Sequence, residues 1–272
     1  MSGKKLPEFV LFGDSLTEWG FEEETRGWGW VLEQEYDGKA RIENEGVAGY
    51  TSSMLERNFR RIIERATLPD AAPTLLITIW LGANDACVGT GAHVPLPKFE
   101  DNIRSFVDQV LAEEQLRDTK VVLITPPPIN IPDAEPEDDG MDLGPAAAAA
   151  MKAFDPKKSR SYIVYKSKRT YGEKIMEIAA SYAETGRVVG LDYWKALIDA
   201  GLDDQHRLGD EDAYHEDMLP GSGLPWAKAF KQGYFSDGLH LEGLAYDVLS
   251  KAVVELIQTK WPALTPERIG TA

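Results

Sequence analysis

The chain has 272 residues, 43% of them hydrophobic, and a formal net charge of −16 at pH 7. This length and apolar content suffice for one α/β domain with a sizeable core. The negative charge argues against a nucleic-acid partner and against binding to an anionic membrane surface, because both need clustered Lys and Arg.

Apolar runs alternate with segments of helical period along the chain. The predicted strands are Phe9–Phe12, Ala40–Asn44, Leu75–Trp80, Val121–Thr125 and Val188–Leu191. A helix is predicted after Ser53, where Ser53-Met54-Leu55-Glu56 has the form of a capping box, and further helices follow Pro97, precede Gly186 and follow His240. Such alternation predicts a single domain over residues 1–272, a three-layer α/β/α sandwich around a five-stranded parallel sheet.

One stretch, about residues 131–161, fits none of these elements. Its first part, Asp133 to Asp142, is acidic and rich in Pro and Gly, and a basic stretch begins at Lys152. We interpret the stretch as a solvated surface insertion. The alternative is a lid or a subunit contact, because long loops in compact domains are often functional.

Two short segments at opposite ends of the chain carry residues suited to acyl transfer. Gly13-Asp14-Ser15 follows the first strand, which places a hydroxyl at a sharp turn. Near the other end, Asp237 precedes His240 by three residues. Alone, each segment is also ordinary turn or capping chemistry.

The predicted sheet brings these segments together with two others. Ser15, Gly49 and Asn84 each follow one of the first three strands. In a parallel sheet these positions share one edge, where such folds bind ligands. Asp237 and His240 lie on a loop that can reach the same edge, so we expect one cleft.

Four blocks occur in one order along the chain: Gly13-Asp14-Ser15-Leu16, Asn44-Glu45-Gly46-Val47-Ala48-Gly49-Tyr50-Thr51, Leu81-Gly82-Ala83-Asn84-Asp85 and Asp237-Gly238-Leu239-His240-Leu241. Together they resemble the motifs of the GDSL (SGNH) esterases and lipases. Three further stretches are similar to the isoamyl-acetate-hydrolysing esterase branch: Gly27-Trp28-Gly29-Trp30, Gly49-Tyr50-Thr51-Ser52 and Thr125-Pro126-Pro127-Pro128. The resemblance implies an SGNH hydrolase domain, which has a flavodoxin-like shape.

The expected chemistry is ester hydrolysis through a covalent acyl-enzyme. A serine hydroxyl needs a base, so we assign Ser15 as nucleophile, His240 as base and Asp237 as the acid that orients the imidazole. The resemblance implies an oxyanion hole built from the Ser15 and Gly49 backbone N–H groups and the Asn84 side chain. Gly46 competes with Gly49 for this role. The expected substrates are small esters with short acyl or acetyl groups.

Other functions fit parts of the sequence. A flavodoxin-like module could bind phosphate or flavin at Gly13 to Thr17, but this leaves Asp237 and His240 without a role. An inactive scaffold and hydrolases of acetylated sugars, thioesters or lysophospholipids are further alternatives. No cofactor and no metal are expected, since His206 and His215 lie in an acidic segment without a recognised ligand spacing.

Several features bear on the surroundings of the site and on location. Trp19, Trp28 and Trp30 either wall a substrate pocket or belong to the core. Cys87 is the single cysteine, which fits a reducing compartment. No secretory signal and no membrane-spanning run are visible, so a cytoplasmic location without membrane insertion is expected. The resembled branch suggests a homodimer.

Overall fold

A computed structural model describes residues 5–133 and 155–269. Its centre is a parallel sheet of five strands in the order β2-β1-β3-β4-β5. The strands are β1 (Glu8–Gly13), β2 (Arg41–Gly46), β3 (Thr74–Trp80), β4 (Lys120–Ile124) and β5 (Val188–Leu191). All five predicted strands are confirmed, with ends displaced by only one or two residues.

Seven α-helices occur in the described part of the chain. They are α1 (Ser15–Glu18), α2 (Trp28–Glu35), α3 (Glu56–Ala66), α4 (Leu96–Ala112), α5 (Arg160–Ser181), α6 (Tyr193–Asp204) and α7 (Gly243–Lys260). Helices α2, α6 and α7 pack on one face of the sheet, and α3 and α4 pack on the other. The predicted three-layer sandwich is therefore confirmed.

Helix α5 crosses from one layer to the other. Tyr162 and Tyr165 in its first half join the core that contains α2, α6 and α7. Tyr171, Ile175 and Ile178 in its second half join the core on the opposite face. The middle of α5 therefore passes the carboxyl edge of the sheet, between the two cores.

The capping box predicted at Ser53 is wrong. Helix α3 begins at Glu56, and its N-cap, Leu55, makes no side-chain cap. The hydroxyl of Ser53 instead accepts a hydrogen bond from Asn102 Nδ2 of α4 at 2.8 Å. A long-range polar contact has replaced the local one.

Most of the predicted insertion, residues 134–154, lies outside the described residues. The described end of the insertion leads into α5. Lys157, just before this helix, pairs with Asp217 at 2.6 Å, and Lys166 within it pairs with Glu216 at 3.2 Å. The acidic segment around His215 thus neutralises basic side chains of this region. Within the described ranges, no cluster of His, Cys, Asp and Glu has an arrangement that could hold a metal ion.

Candidate active site

Ser15 lies where the sequence placed it, directly after β1 and at the first position of α1. Gly13 ends β1 beside β3, and a Cβ at this position would lie 2.6 Å from the carbonyl oxygen of Trp80. Close approach of the two strands therefore requires the glycine. Asp14 caps α1, because its Oδ1 accepts from the Leu16 N–H at 3.0 Å. The turn holds Ser15 at the carboxyl edge, with the residue 6% exposed.

The imidazole of His240 lies between Ser15 and Asp237. Its Nε2 is 3.3 Å from Ser15 Oγ, and its Nδ1 is 2.7 Å from Asp237 Oδ2. Asp237 Oδ1 accepts from the backbone N–H groups of Leu239 and His240 at 2.9 and 2.8 Å. The three side chains form one hydrogen-bonded line across 225 residues of sequence.

Hydrogen bonds keep the Asp237 carboxylate ionised. Partial burial acts to raise its pKa, but the bonds from the His240 backbone and ring and from the Leu239 N–H outweigh this effect. The result is a pKa lowered to about 2. The group therefore faces the imidazole as an anion over the whole neutral range.

The loops that carry Gly49 and Asn84 are in contact with each other. Asn84 Nδ2 donates to the Tyr50 carbonyl at 2.8 Å, which leaves its second N–H for another acceptor. The Gly46 N–H is already bound to Asn44 Oδ1 at 3.0 Å. The Gly49 N–H, in contrast, donates to no acceptor within the described residues. Gly49 adopts a φ of +78°, in the left-handed region that favours glycine.

A buried polar network joins the Gly49 turn to the Asn84 loop. Asp85 Oδ1 accepts from the Ser52 N–H at 3.0 Å and from Ser52 Oγ at 2.5 Å. Asn102 Nδ2 donates to Ser52 Oγ at 2.8 Å. Asp85 and Ser52 are fully buried, and burial raises the pKa of Asp85. Sequence analysis included Asp85 only as the last residue of the third block, and it gave no role to Ser52 or Asn102.

The three tryptophans divide between core and site. Trp28 is fully buried, with its ring edge-on to Trp80, and belongs to the core. Trp19 is 37% exposed, and its ring centroid lies 4.2 Å from that of His240. Tyr50 and Met54, which follow Gly49, are also exposed. Trp19 thus lies beside the site, whereas Trp30 is half-buried in α2.

Position in the sheet explains why these residues converge. The order β2-β1-β3 reverses direction at β1, and ligands in such sheets bind outside the carboxyl ends of the strands at this point. Ser15 and Asn84 follow β1 and β3, the two strands at the reversal. The fold is therefore the three-layer sandwich that the resemblance to the SGNH hydrolases implies.

The model of the GDSL-like lipase/acylhydrolase family matches residues 9–253. An isoamyl acetate-hydrolyzing esterase of Saccharomyces cerevisiae is 27% identical over 269 residues, covering 96% of this chain and 90% of the yeast protein. An isoamyl acetate-hydrolyzing esterase 1 homolog of Mus musculus is 33% identical over 133 residues, covering 47% of this chain and 51% of the mouse protein. The chain spans about half the length of the mammalian relatives that it matches.

A solved structure shows the same fold at low identity. Axe2, an acetylxylan esterase from Geobacillus stearothermophilus, superimposes with a TM-score of 0.56 at 17% identity, covering 96% of each chain. The chain belongs to the GDSL-like lipase/acylhydrolase family, a class of carboxylic ester hydrolases. None of the described helices has the length and apolar content needed to span a membrane.

Proposed function

We propose that this chain is a serine esterase that hydrolyses short-chain acyl or acetyl esters through a covalent acyl-enzyme. The observation that carries the proposal is the line of contacts from Ser15 Oγ through the His240 ring to Asp237. A hydroxyl, an imidazole and a carboxylate in this order are the parts that acyl transfer requires.

The proposed reaction begins with a proton transfer. His240 Nε2 accepts the proton of the Ser15 hydroxyl as Ser15 Oγ attacks the ester carbonyl carbon. Asp237 holds the proton of Nδ1 and stabilises the imidazolium that forms. The imidazolium then donates its proton to the leaving alcohol, and the acyl group remains on Ser15. Water, activated by the same imidazole, releases the acid.

Three donors are proposed to stabilise the oxyanion of the tetrahedral intermediates: the backbone N–H groups of Ser15 and Gly49 and the second amide N–H of Asn84. The free Gly49 N–H supports its choice over Gly46, whose N–H is occupied by Asn44. The Ser15 N–H stands at the start of α1, where a helix supplies no acceptor of its own. One donor of this kind contributes roughly 3–4 kcal/mol to lowering the barrier.

A small, mainly apolar ester is the proposed substrate. The relatives that match this chain include esterases named for isoamyl acetate hydrolysis. Exposed Trp19, Tyr50 and Met54 beside the site offer an apolar surface for an acyl or alcohol group. The phosphate or flavin alternative has less support, because the buried Asp14 carboxyl occupies the loop that would face the anion.

A panel of p-nitrophenyl esters with Ser15→Ala as the test variant examines this proposal. We expect kcat/KM to be highest for acetate to butyrate and to fall by at least about 10³-fold in Ser15→Ala. Ser236→Ala is the matched control, since it removes an exposed hydroxyl from the loop of Asp237. Near-normal turnover by purified Ser15→Ala would reject the nucleophile. A maximum at octanoate or longer would reject only the short-chain preference.

A further inference from the structure

Lys168, in the middle of α5, is a fully buried lysine beside the site. Its Nζ donates a hydrogen bond to the carbonyl oxygen of Ala83 at 2.8 Å. Burial of an amine is costly unless the group is paired, and it lowers the pKa of Lys168. A lysine in this position therefore calls for an explanation beyond packing, because an apolar chain of equal length would fill the space without desolvating a charge.

The acceptor of this hydrogen bond lies within the Asn84 loop. The Ala83 carbonyl belongs to the peptide group that joins Ala83 to Asn84, so the bond fixes the rotation of that peptide. Cys87 Sγ donates to the same oxygen at 3.3 Å. The preceding residue, Gly82, has a φ of +112°, in the left-handed region that favours glycine.

Two buried carboxyl groups face the same ammonium. Lys168 interacts electrostatically with Asp14 and with Asp85, the neighbours in sequence of Ser15 and Asn84. One oxygen of each, Asp14 Oδ2 and Asp85 Oδ2, is buried without a hydrogen-bond partner among the described residues. Burial raises the pKa of both acids, that of Asp14 to about 7, and the lysine opposes this effect on Asp14. The ammonium thus lies where the nucleophile turn and the Asn84 loop approach each other.

We propose that Lys168 is a positioning residue, which fixes the Asn84 amide for oxyanion binding by holding the Ala83 carbonyl. The inference rests on the proposed function, since it requires Asn84 to be an oxyanion donor. Lys168 does not contact the substrate. Its effect is expected on the chemical step, because an oxyanion forms in the transition state and not in the bound ester.

The test variant is Lys168→Met, which keeps the length of the side chain and removes the donor. Lys166→Met is the matched control, since Lys166 is exposed on the same helix and pairs with Glu216. Labelling of Ser15 by a fluorophosphonate counts the folded, reactive molecules, so that kcat is expressed per active site. We expect Lys168→Met to lower this kcat by about 10- to 100-fold, less than outright loss of a donor. KM for p-nitrophenyl acetate should stay within about twofold, and Lys166→Met should match the parent.

A double-mutant cycle with Asn84→Ala separates positioning from general support. If Lys168 acts through Asn84, Lys168→Met should lower kcat by less than about threefold when Asn84 is already Ala. Equal effects in both backgrounds, or an unchanged kcat per active site in Lys168→Met, would overturn the inference and leave the proposed esterase intact. If Lys168→Met yields no reactive protein, Lys168→Gln replaces it in the same cycle under the same criteria. An unchanged kcat in Asn84→Ala overturns both the oxyanion assignment and the inference.

Discussion

The site has two halves that are built in different ways. The strand-end half (Ser15, Gly49 and Asn84) lies on turns that follow β1, β2 and β3. Its neighbours Asp14, Asp85 and Lys168 are buried, and the contacts of Asp85 with Ser52 and of Lys168 with Ala83 join residues 33 and 85 positions apart. The loop half (Asp237 and His240) lies before α7, with the Asp237 side chain 56% exposed, and the hydrogen bonds that Asp237 accepts span two or three residues.

This contrast predicts opposite responses of the halves to pH. Asp237 has a folded-state pKa below its ordinary value, so its stabilising effect is present above about pH 4 and is lost as pH falls toward 2. Asp14 has a folded-state pKa raised to about 7, so its stabilising effect is present at low pH and is lost as pH rises from about 4 to 7. Local hydrogen bonds favour an anion, whereas burial of a carboxyl favours the neutral acid.

The largest effect is expected in the loop half, from Asp237→Asn. The neutral amide neither enforces the required tautomer of His240 nor stabilises the imidazolium, so kcat should fall by about 10²- to 10⁴-fold. Because Asp237 is ionised at every pH above about 2, the loss should be similar from pH 5 to 9. Profiles of kcat/KM for parent and variant measure this. Glu242→Gln, which removes a carboxylate from the same loop, is the control, and an undiminished rate in Asp237→Asn excludes the pair from the mechanism.

Ser52→Ala should have the next largest effect and acts on the strand-end half. The change removes one buried hydrogen bond from Asp85 and one from Asn102, which keep the Ser52 N–H and Ser53 Oγ as partners, so the free energy of unfolding should fall by about 1–3 kcal/mol. We also expect kcat to fall, because the Gly49 turn loses one of its hydrogen bonds to the Asn84 loop and keeps those of the Ser52 N–H and the Tyr50 carbonyl. Urea unfolding and ester hydrolysis measure the two effects. Ser53→Ala is the matched control, since Ser53 also contacts Asn102 but makes no contact with Asp85. Equal losses in both variants contradict a specific role for the Asp85 contact.

We expect the smallest effect on activity from Asp14→Asn, which should instead change the pH dependence of stability. Asn can still cap α1 through Oδ1 but does not ionise in this range. In the parent, the buried Asp14 should lower the free energy of unfolding by up to about 4 kcal/mol between pH 4 and 8, given a shift from 3.8 to about 7. In the variant, the free energy of unfolding should change less steeply with pH. The difference in slope should correspond to the uptake or release of up to about one proton. Urea unfolding at several pH values measures the free energy of unfolding for both proteins. If it changes with pH equally steeply in the parent and in Asp14→Asn, Asp14 is not the titrating group.

The strand pattern and the four blocks were sufficient to predict the sheet, the position of Ser15 after β1 and the convergence of the site residues. These features depend on local patterns: apolar runs, a glycine at a turn, and an acid three residues before a histidine. The choice of Gly49 over Gly46 gained a physical reason only from the structure, where Asn44 occupies the Gly46 N–H.

The sequence by itself determined the elements of this protein and which residues follow them, because periodicity and turn chemistry act between near neighbours. Only the tertiary structure decided what supports the site. Lys168 continues the apolar stripe of α5 with Tyr165 and Ile175, a helical spacing that could have indicated burial, but its acceptor lies 85 positions away. Ser53 pairs with α4 rather than capping α3 for the same reason. The burial of a polar side chain and the choice of its partner depend on which elements pack over it, and this is settled when the layers assemble.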